Sequence, residues 1–212
     1  MLIVPKKSYH VTTDSHHRFR KHKNMVSQIE FERPEQVWVS DLTYIGNRKN
    51  PSYLALVTDA YSKKIMGYDV SSSLEVNGSV RALEMALKKR SYKVQPLVHH
   101  SDRGLQYCSN EYQRILNDNA ISTSMTEKYD PYENAIAERV NGILKQEFAI
   151  AAYATDLATK KLMVRDAIHL YNSLRPHLSN NMLTPNKMHK QSELKRKKYK
   201  SKKLNNDNIV QL

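Results

Sequence analysis

Cysteine is nearly absent from this sequence, because Cys108 is the only one in 212 residues. A single cysteine excludes a disulfide framework within the chain and any zinc site built from several cysteines. Long hydrophobic runs are also missing, since no stretch approaches the roughly 18 apolar residues that span a bilayer. Residues 1–5 are too short for the apolar region of a signal peptide. We therefore expect Cys108 to be a small, partly buried residue in a reducing, soluble, cytoplasmic protein with no membrane partner.

Acidic residues are too few to balance the basic ones, and the formal net charge is +13 at pH 7. Residues 1–35 hold 7 lysines and arginines against 4 acids, and residues 191–212 hold 7 against 2. The 155 residues between them hold 20 against 15, which is much closer to balance. This distribution indicates a polyanionic partner, with a folded catalytic unit flanked by arms that bind nucleic acid.

Composition divides the chain into four parts: a basic arm (1–35), a core (36–155), a helical extension (156–190) and a basic tail (191–212). In the core and extension, the residue patterns predict strands at 36–45, 53–59, 65–70, 96–100 and 121–125, and helices at 72–90, 110–119, 134–145 and 156–174. Ser72 and Glu75 read as a capping box for the first helix, and Thr184 with Pro185 as the start of a last short helix. The order βββαβαβα, beginning with an antiparallel meander, predicts a ribonuclease H-like α/β fold with a mixed five-stranded sheet and flanking helices.

Three carboxylates stand out against this predicted fold. Asp41 lies inside the first strand, where an acid is costly unless it is paired, protonated or bound to metal. Asp102 follows the fourth strand, and Gly104 permits a sharp turn after it. If the fourth strand pairs beside the first, the two aspartates meet at one end of the sheet.

The helix at 134–145 supplies the third carboxylate. At 100° per residue, one stripe carries Asn134, Glu138, Asn141 and Lys145, while apolar residues occupy the opposite side. This stripe brings Glu138 toward the aspartates. Three converging carboxylates require a cation, and all-oxygen ligands suit Mg²⁺ or Mn²⁺ rather than zinc. Taken singly, Asp41 also fits a buried structural acid, Asp102 a turn residue and Glu138 a helix-surface acid.

The spacing and the surrounding motifs resemble the Asp, Asp(35)Glu catalytic core of retroviral-type integrases, and more closely the OrfB-type transposases of bacterial insertion sequences. Sixty residues separate the two aspartates, and 35 separate Asp102 from Glu138. The matching motifs are Trp38-x-x-Asp41-x-Thr43-Tyr44, His100-Ser101-Asp102-Arg103-Gly104-x-Gln106-Tyr107, Asn134-Ala135-x-Ala137-Glu138-Arg139 with Leu144-Lys145-x-Glu147, and Tyr171-Asn172-x-x-Arg175-Pro176-His177 with Leu183-Thr184-Pro185. Together they cover nearly everything from Thr12 to His189.

The resemblance implies a transposase that cuts DNA at the element ends and joins them to target DNA. Asp41, Asp102 and Glu138 would be catalytic and would hold two Mg²⁺ or Mn²⁺ ions. The residues expected to contact DNA are Lys145, Asn141, Asn134, Arg103 and Arg175. Arg175 and His177 are equally consistent with bracing the core. We also expect His100 beside the site, a homo-oligomer on DNA, a nucleoid-associated location in a bacterium and salt-sensitive DNA binding by the tail.

Two other interpretations stay open. A structure-specific nuclease or ribonuclease H shares the predicted fold, although the 35-residue spacing and Lys145 argue against it. Family members normally carry an N-terminal helix-turn-helix region, whereas this chain begins at the linker that precedes the core. A truncated DNA-binding product that inhibits or assists a full-length transposase is therefore the alternative, and a separate protein could supply the helix-turn-helix.

Overall fold

The structure is a computed structural model that describes residues 18–27, 29–47, 50–127, 134–152, 155–191 and 194. Its sheet is built around the first strand, as the sequence predicts. In chain order the elements are β1 (Val37–Asn47), β2 (Asn50–Asp59), β3 (Ile65–Ser71), α1 (Val76–Lys89), β4 (Leu97–Ser101), α2 (Leu105–Cys108), α3 (Asn110–Asp118), β5 (Ile121–Met125), α4 (Ala135–Glu147), α5 (Leu157–Ser173) and α6 (Pro185–Lys190).

The five strands lie in the order β3-β2-β1-β4-β5. β1 pairs antiparallel with β2 and β2 with β3, because short turns join these strands. β4 pairs parallel with β1 and β5 parallel with β4, and in each case a helical connection supplies the crossover. The predicted mixed sheet of the ribonuclease H-like class is therefore confirmed, with the first strand at its centre.

Apolar side chains cover both faces of the sheet. The alternation of β1 sends Trp38 toward α1 and α3, where the buried core also includes Leu83, Tyr112 and Leu116. Ile45 points to the other face, where α4 and α5 pack. Cys108 is buried in the first of these cores with its sulfur 3.6 Å from that of Met125, so the predicted small buried role fits.

Most predicted element ends agree with the structure, and the first helix is the exception. Thr184 caps α6 through its side chain, which accepts the Lys187 amide, and α5 ends shortly before Pro176. The capping box at Ser72 is wrong, because α1 begins only at Val76 and Glu75 makes no capping hydrogen bond. Residues 72–75 are used instead to carry the chain from the end of β3 to the helix.

Several expectations fall outside the described residues. They concern the arm before residue 18, most of the loop at 126–132 and nearly all of the basic tail. The four domain boundaries stay predictions, although the described part of the arm packs on the core through Phe19, Val26 and Phe31. Within the described chain, no helix is both long enough and apolar enough to cross a membrane.

The motif from Tyr171 to His177 ties α5 to the start of β3. Asn172 accepts the backbone N–H of Ile65 and donates to its carbonyl oxygen, both at 3.0 Å, and the Tyr171 hydroxyl donates to the Lys63 carbonyl. The His177 ring lies edge-on to Tyr171 with 5.2 Å between centroids. The motif thus holds the helical extension against the sheet.

Asn172→Asp is expected to destabilise the fold by about 2–3 kcal/mol, because a carboxylate would replace the amide that donates to the Ile65 carbonyl. Urea unfolding at pH 7 measures the change in the free energy of unfolding. The control is Asn186→Asp, because the Asn186 side chain bonds to the Ser173 hydroxyl, which can also act as donor. Equal effects of the two substitutions would mean that the hydrogen bonds between Asn172 and Ile65 do not stabilise the fold.

A buried ionic cluster joins the segment before β1, the β2–β3 turn and α6. Its members are Glu35, Asp59, Ser62 and His189, all buried. His189 lies 3.2 Å from Glu35 through Nε2 and 3.0 Å from the Ser62 hydroxyl through Nδ1, and that hydroxyl lies 2.7 Å from Asp59. The cluster connects α6 to the end of the sheet where β1 and β4 begin.

Candidate functional site

The two aspartates lie at one end of the β1–β4 ladder. The last paired residues are Val39 on β1 and His100 on β4. Since the strands are parallel, the two aspartates lie at the same level two residues after this pair, Asp41 within β1 and Asp102 directly after the end of β4. The predicted pairing of the fourth strand beside the first is confirmed, and it brings these two acids together.

A short turn beyond β4 fixes Asp102. Its Oδ1 accepts the backbone N–H of Gly104 at 2.9 Å, and the Ser101 carbonyl just before it accepts the N–H of Thr126. From the sequence we expected Gly104 to permit this turn. Its φ is −63°, however, which any residue adopts, so the turn does not depend on glycine. The carboxylate of Asp102 makes the turn.

The polar stripe of α4 packs along β1. Asn134 donates to the carbonyl of Ser40 at 3.1 Å, and Asn141 donates to Oδ2 of Asp41 at 2.7 Å. Lys145 donates to the hydroxyl of Thr43 at 2.5 Å. Three of the four residues predicted to share this stripe are therefore in contact with consecutive parts of β1.

Glu138, the fourth member of the stripe, remains exposed one turn before Asn141. Partial burial raises its pKa above the ordinary value. Within the part of the chain that the structure describes, no three acidic, histidine or cysteine side chains converge closely enough to hold one metal ion. The three acids thus share one end of the sheet without forming a closed ligand set in this conformation.

The pKa of Asp41 is raised by its surroundings. Burial and then the neighbouring charge of Asp102 raise the pKa of Asp41 from 3.8 to about 7, and the charge of Glu138 adds to them. The hydrogen bonds from Asn141 and the Leu42 amide oppose the shift without cancelling it. A bound cation would relieve this repulsion, and carboxylate oxygens are the ligands that Mg²⁺ and Mn²⁺ prefer. The residues present therefore fit a hard divalent cation.

The residues expected to contact DNA have protein partners in this structure. Burial lowers the pKa of the Lys145 ammonium, although the charge of Asp41 opposes the shift. The amide nitrogens of Asn134 and Asn141 are used within the fold, while their side-chain oxygens are buried and have no hydrogen-bond partner among the residues that the structure describes. Arg103 lies half-buried in the turn directly after Asp102. Their contacts with DNA stay predictions.

Arg175 and His177 both make contacts within the fold, and the DNA contact predicted for Arg175 stays a prediction. Arg175 forms a two-point ion pair with Glu147 at 2.6 and 2.7 Å, which links the end of α5 to the end of α4. His177 packs on Tyr171. Both contacts favour a bracing role. His100 is fully buried, with Nδ1 2.9 Å from the Ser124 hydroxyl, so it supports the site through β5.

Sequence reasoning missed a buried polar group on the other side of β1. The Ser40 hydroxyl lies 2.7 Å and the Tyr112 hydroxyl 2.9 Å from the same nitrogen of His99, Nε2. Burial, followed by the charge of His100, lowers the pKa of His99 to about 3, so the imidazole is neutral. Strand alternation predicts that Ser40 and Asp41 face opposite sides, but no sequence pattern identifies the partners of Ser40.

Comparison with known proteins agrees with this geometry. Two family models, both described as an integrase core domain, match residues 32–131 and 119–185. The insertion element IS600 uncharacterized 31 kDa protein of Shigella sonnei is 34% identical over 175 residues, which is 81% of this chain and 64% of that protein. The transposase for insertion sequence element IS629, also of Shigella sonnei, is 35% identical over 148 residues, which is 70% of this chain and 49% of that protein. The chain therefore spans between half and two thirds of these relatives.

A solved structure shares the fold. The integrase catalytic core domain of HTLV-2, solved in complex with magnesium in a trimeric form, matches with a TM-score of 0.59 and 19% identity. The match covers 76% of this chain and 99% of that chain. The two family models together match residues 32–185, so the chain belongs to the integrase core domain family, and proteins of bacterial insertion sequences are among its relatives.

Proposed function

We propose that this chain catalyses metal-dependent cleavage of phosphodiester bonds and DNA strand transfer during transposition of an insertion element. The observation that carries the proposal is the β1–β4 register, which sets Asp41 level with Asp102 at the end of the sheet where the polar stripe of α4 packs. A transposase and an integrase core among the similar proteins support the same chemistry.

In this proposal Asp41, Asp102 and Glu138 bind Mg²⁺ or Mn²⁺, with two ions expected. Bound ions of this kind activate an attacking oxygen and stabilise a leaving oxygen. The protein holds Asp41 on a rigid central strand and Asp102 in a turn that its own carboxylate closes. Glu138 is exposed on α4, and its charge acts on Asp41, so it lies near the two aspartates. Water or a DNA 3′-hydroxyl attacks the phosphorus directly, so no nucleophilic side chain is needed.

Asn141 donates to Oδ2 of Asp41, and a carboxylate oxygen that accepts one hydrogen bond still has a lone pair for a cation. The side-chain oxygen of Asn141 is buried and has no hydrogen-bond partner among the described residues.

The partners we propose are DNA, both element ends and target, and further copies of the same chain. The separate helix-turn-helix subunit and the nucleoid-associated location stay predictions.

Glu138→Gln is expected to reduce Mn²⁺-dependent cleavage and joining of a labelled DNA duplex by roughly 10³-fold, since it removes one carboxylate from the proposed ligand set. Gel analysis of the products, with Mn²⁺ or with EDTA, measures the effect. Glu84→Gln is the matched control, because Glu84 is an equally exposed helical acid on α1. DNA binding without chemistry by wild type and both variants would instead support the truncated, non-catalytic alternative.

A further inference from the structure

The described part of the N-terminal arm is fastened to the edge of the sheet. β5 is an edge strand, and its last residue, Met125, donates its backbone N–H to the carbonyl of Lys23 at 3.3 Å. The backbone N–H of Met25 donates to the Ser124 hydroxyl at 2.8 Å. The arm therefore covers the outer edge of β5 near its carboxyl end.

Side chains also hold this segment in place. Phe19 packs against the core under α3. The side-chain oxygen of Asn24 accepts the N–H groups of Val26 and Ser27 at 2.9 and 3.2 Å, which forms a local turn. The N–H of Asn24 donates to Glu127 at 2.8 Å. The inward-facing residues thus fix the backbone, and the intervening side chains point outward.

The exposed side chains of residues 18–23 are all basic. We call the four exposed cations Arg18, Arg20, Lys21 and Lys23 the basic rail. Over the described ranges, none of the four forms an ion pair within 4.0 Å. Four like charges within six residues repel one another, and a polyanion would neutralise them.

Lys23, the last residue of the basic rail, lies next to the candidate catalytic end of the sheet. Ser101 pairs with Met125, so Lys23 is separated from the residue before Asp102 by β5 alone. Strands are about 4.8 Å apart, which sets the backbone of Lys23 about 10 Å from that of Ser101. The charges of Asp102, Lys21 and Arg103 all act on the buried thiol of Cys108, so Lys21 and Asp102 are both near this side chain.

We propose that the basic rail binds the phosphodiester backbone of DNA and guides the strand along the β5 edge toward Asp102. This inference rests on the proposed function only in taking DNA as the substrate. Lys21 and Lys23 are two residues apart in an extended segment, so their backbones are about 6.6 Å apart and their side chains reach separate phosphates. The protein anchors the backbone before DNA arrives, which reduces the entropy lost on binding.

The test compares two double variants of the full chain, Lys21→Gln with Lys23→Gln and Lys88→Gln with Lys93→Gln. Lys88 and Lys93 are equally exposed, but they lie near the amino end of β4, at the opposite end of the sheet. Fluorescence anisotropy with a labelled DNA duplex in EDTA, from 50 to 200 mM salt, gives the affinity and its salt dependence without chemistry.

We expect the rail variant to bind DNA about tenfold more weakly, with the slope of log affinity against log salt smaller by about two. The variant at the opposite end should stay within about twofold of wild type. Equal losses in both variants, or no loss in either, would overturn the inference, and equal melting temperatures by circular dichroism establish that both variants fold. Because this readout needs no metal, an inactive protein that still shows the rail effect would refute the proposed function alone.

Discussion

Asp41→Asn is expected to abolish strand transfer and, at the same time, to raise the melting temperature of the metal-free protein at pH 8. The two effects have one origin. Burial and the nearby charge of Asp102 raise the pKa of Asp41 to about 7, and its ordinary value is 3.8. At pH 8 the folded protein therefore contains an ionised carboxylate that its surroundings disfavour. The substitution removes this charge together with the proposed metal ligand.

The direction of the pH dependence follows from proton binding. Because the folded state binds the Asp41 proton more tightly than the unfolded state, stability falls as the pH rises from about 4 through about 7. A shift of this size corresponds to at most about 4 kcal/mol, and partial exposure of the side chain reduces our expectation to about 1–2 kcal/mol. That is about 3–6 °C in melting temperature for a chain of this length.

Asp69→Asn is the matched control, because this acid on β3 has the opposite environment. Burial alone would raise its pKa, but its hydrogen bonds to Arg81 and Ser71 outweigh burial and lower the pKa. Asp69→Asn should therefore destabilise the protein at pH 8. Differential scanning fluorimetry with and without Mg²⁺ adds a second test, in which the ion stabilises wild type more than the Asp41 variant. A lower melting temperature for Asp41→Asn in EDTA would contradict the account.

The order of the elements along the chain and most element ends follow from local patterns in the sequence. Alternation, turn residues and the positions of Pro176 and Pro185 predict them because each acts over a few residues. The capping box failed because Ser72 and Glu75 also suit a connection between a strand and a helix. The four-residue helix α2 was missed because so short a segment has no apolar period.

The contacts within the site are much harder to predict from the sequence. The stripe on α4 and its approach to the aspartates were predicted, but its individual contacts were not, because the sequence does not say that Lys145 meets Thr43 across about one hundred residues. The anchoring of the arm was missed for the same reason. Residues 18–27 have no apolar period, and the anchors lie on β5, whose position depends on the whole sheet. Side-chain partners at long sequence separation need the assembled fold.

His189→Gln is expected to destabilise the protein by about 3–4 kcal/mol near pH 6, because it leaves two buried carboxylates without their cation. The hydrogen bonds indicate that His189 is an imidazolium. The Ser62 hydroxyl donates its single proton to Asp59, so it accepts from Nδ1 of His189, while Nε2 donates to Glu35. Both ring nitrogens therefore carry protons.

The pKa shifts define the pH range in which this cluster stabilises the fold. Burial alone would lower the pKa of His189, but the nearby carboxylates of Asp59 and Glu35 raise it above 6.5, so its contribution is complete below about 6.5 and is lost as the pH rises through the raised value. Burial would raise the pKa of both acids, but the adjacent His189 and the backbone N–H donors outweigh burial and lower it. Their contribution is therefore present above about 4 and is lost in more acidic solution.

Urea unfolding of wild type and His189→Gln between pH 4 and pH 9 tests this account. The difference in the free energy of unfolding should be largest near pH 5–6 and should shrink at high pH, where wild type also loses the imidazolium charge. The control is His169→Gln, which changes an exposed histidine on α5 and should cost less than about 0.5 kcal/mol. A difference that is independent of pH, or as small as that of the control, would mean that His189 is neutral in the fold. In that case α6 would be held to the sheet by apolar packing of Met188 rather than by charge.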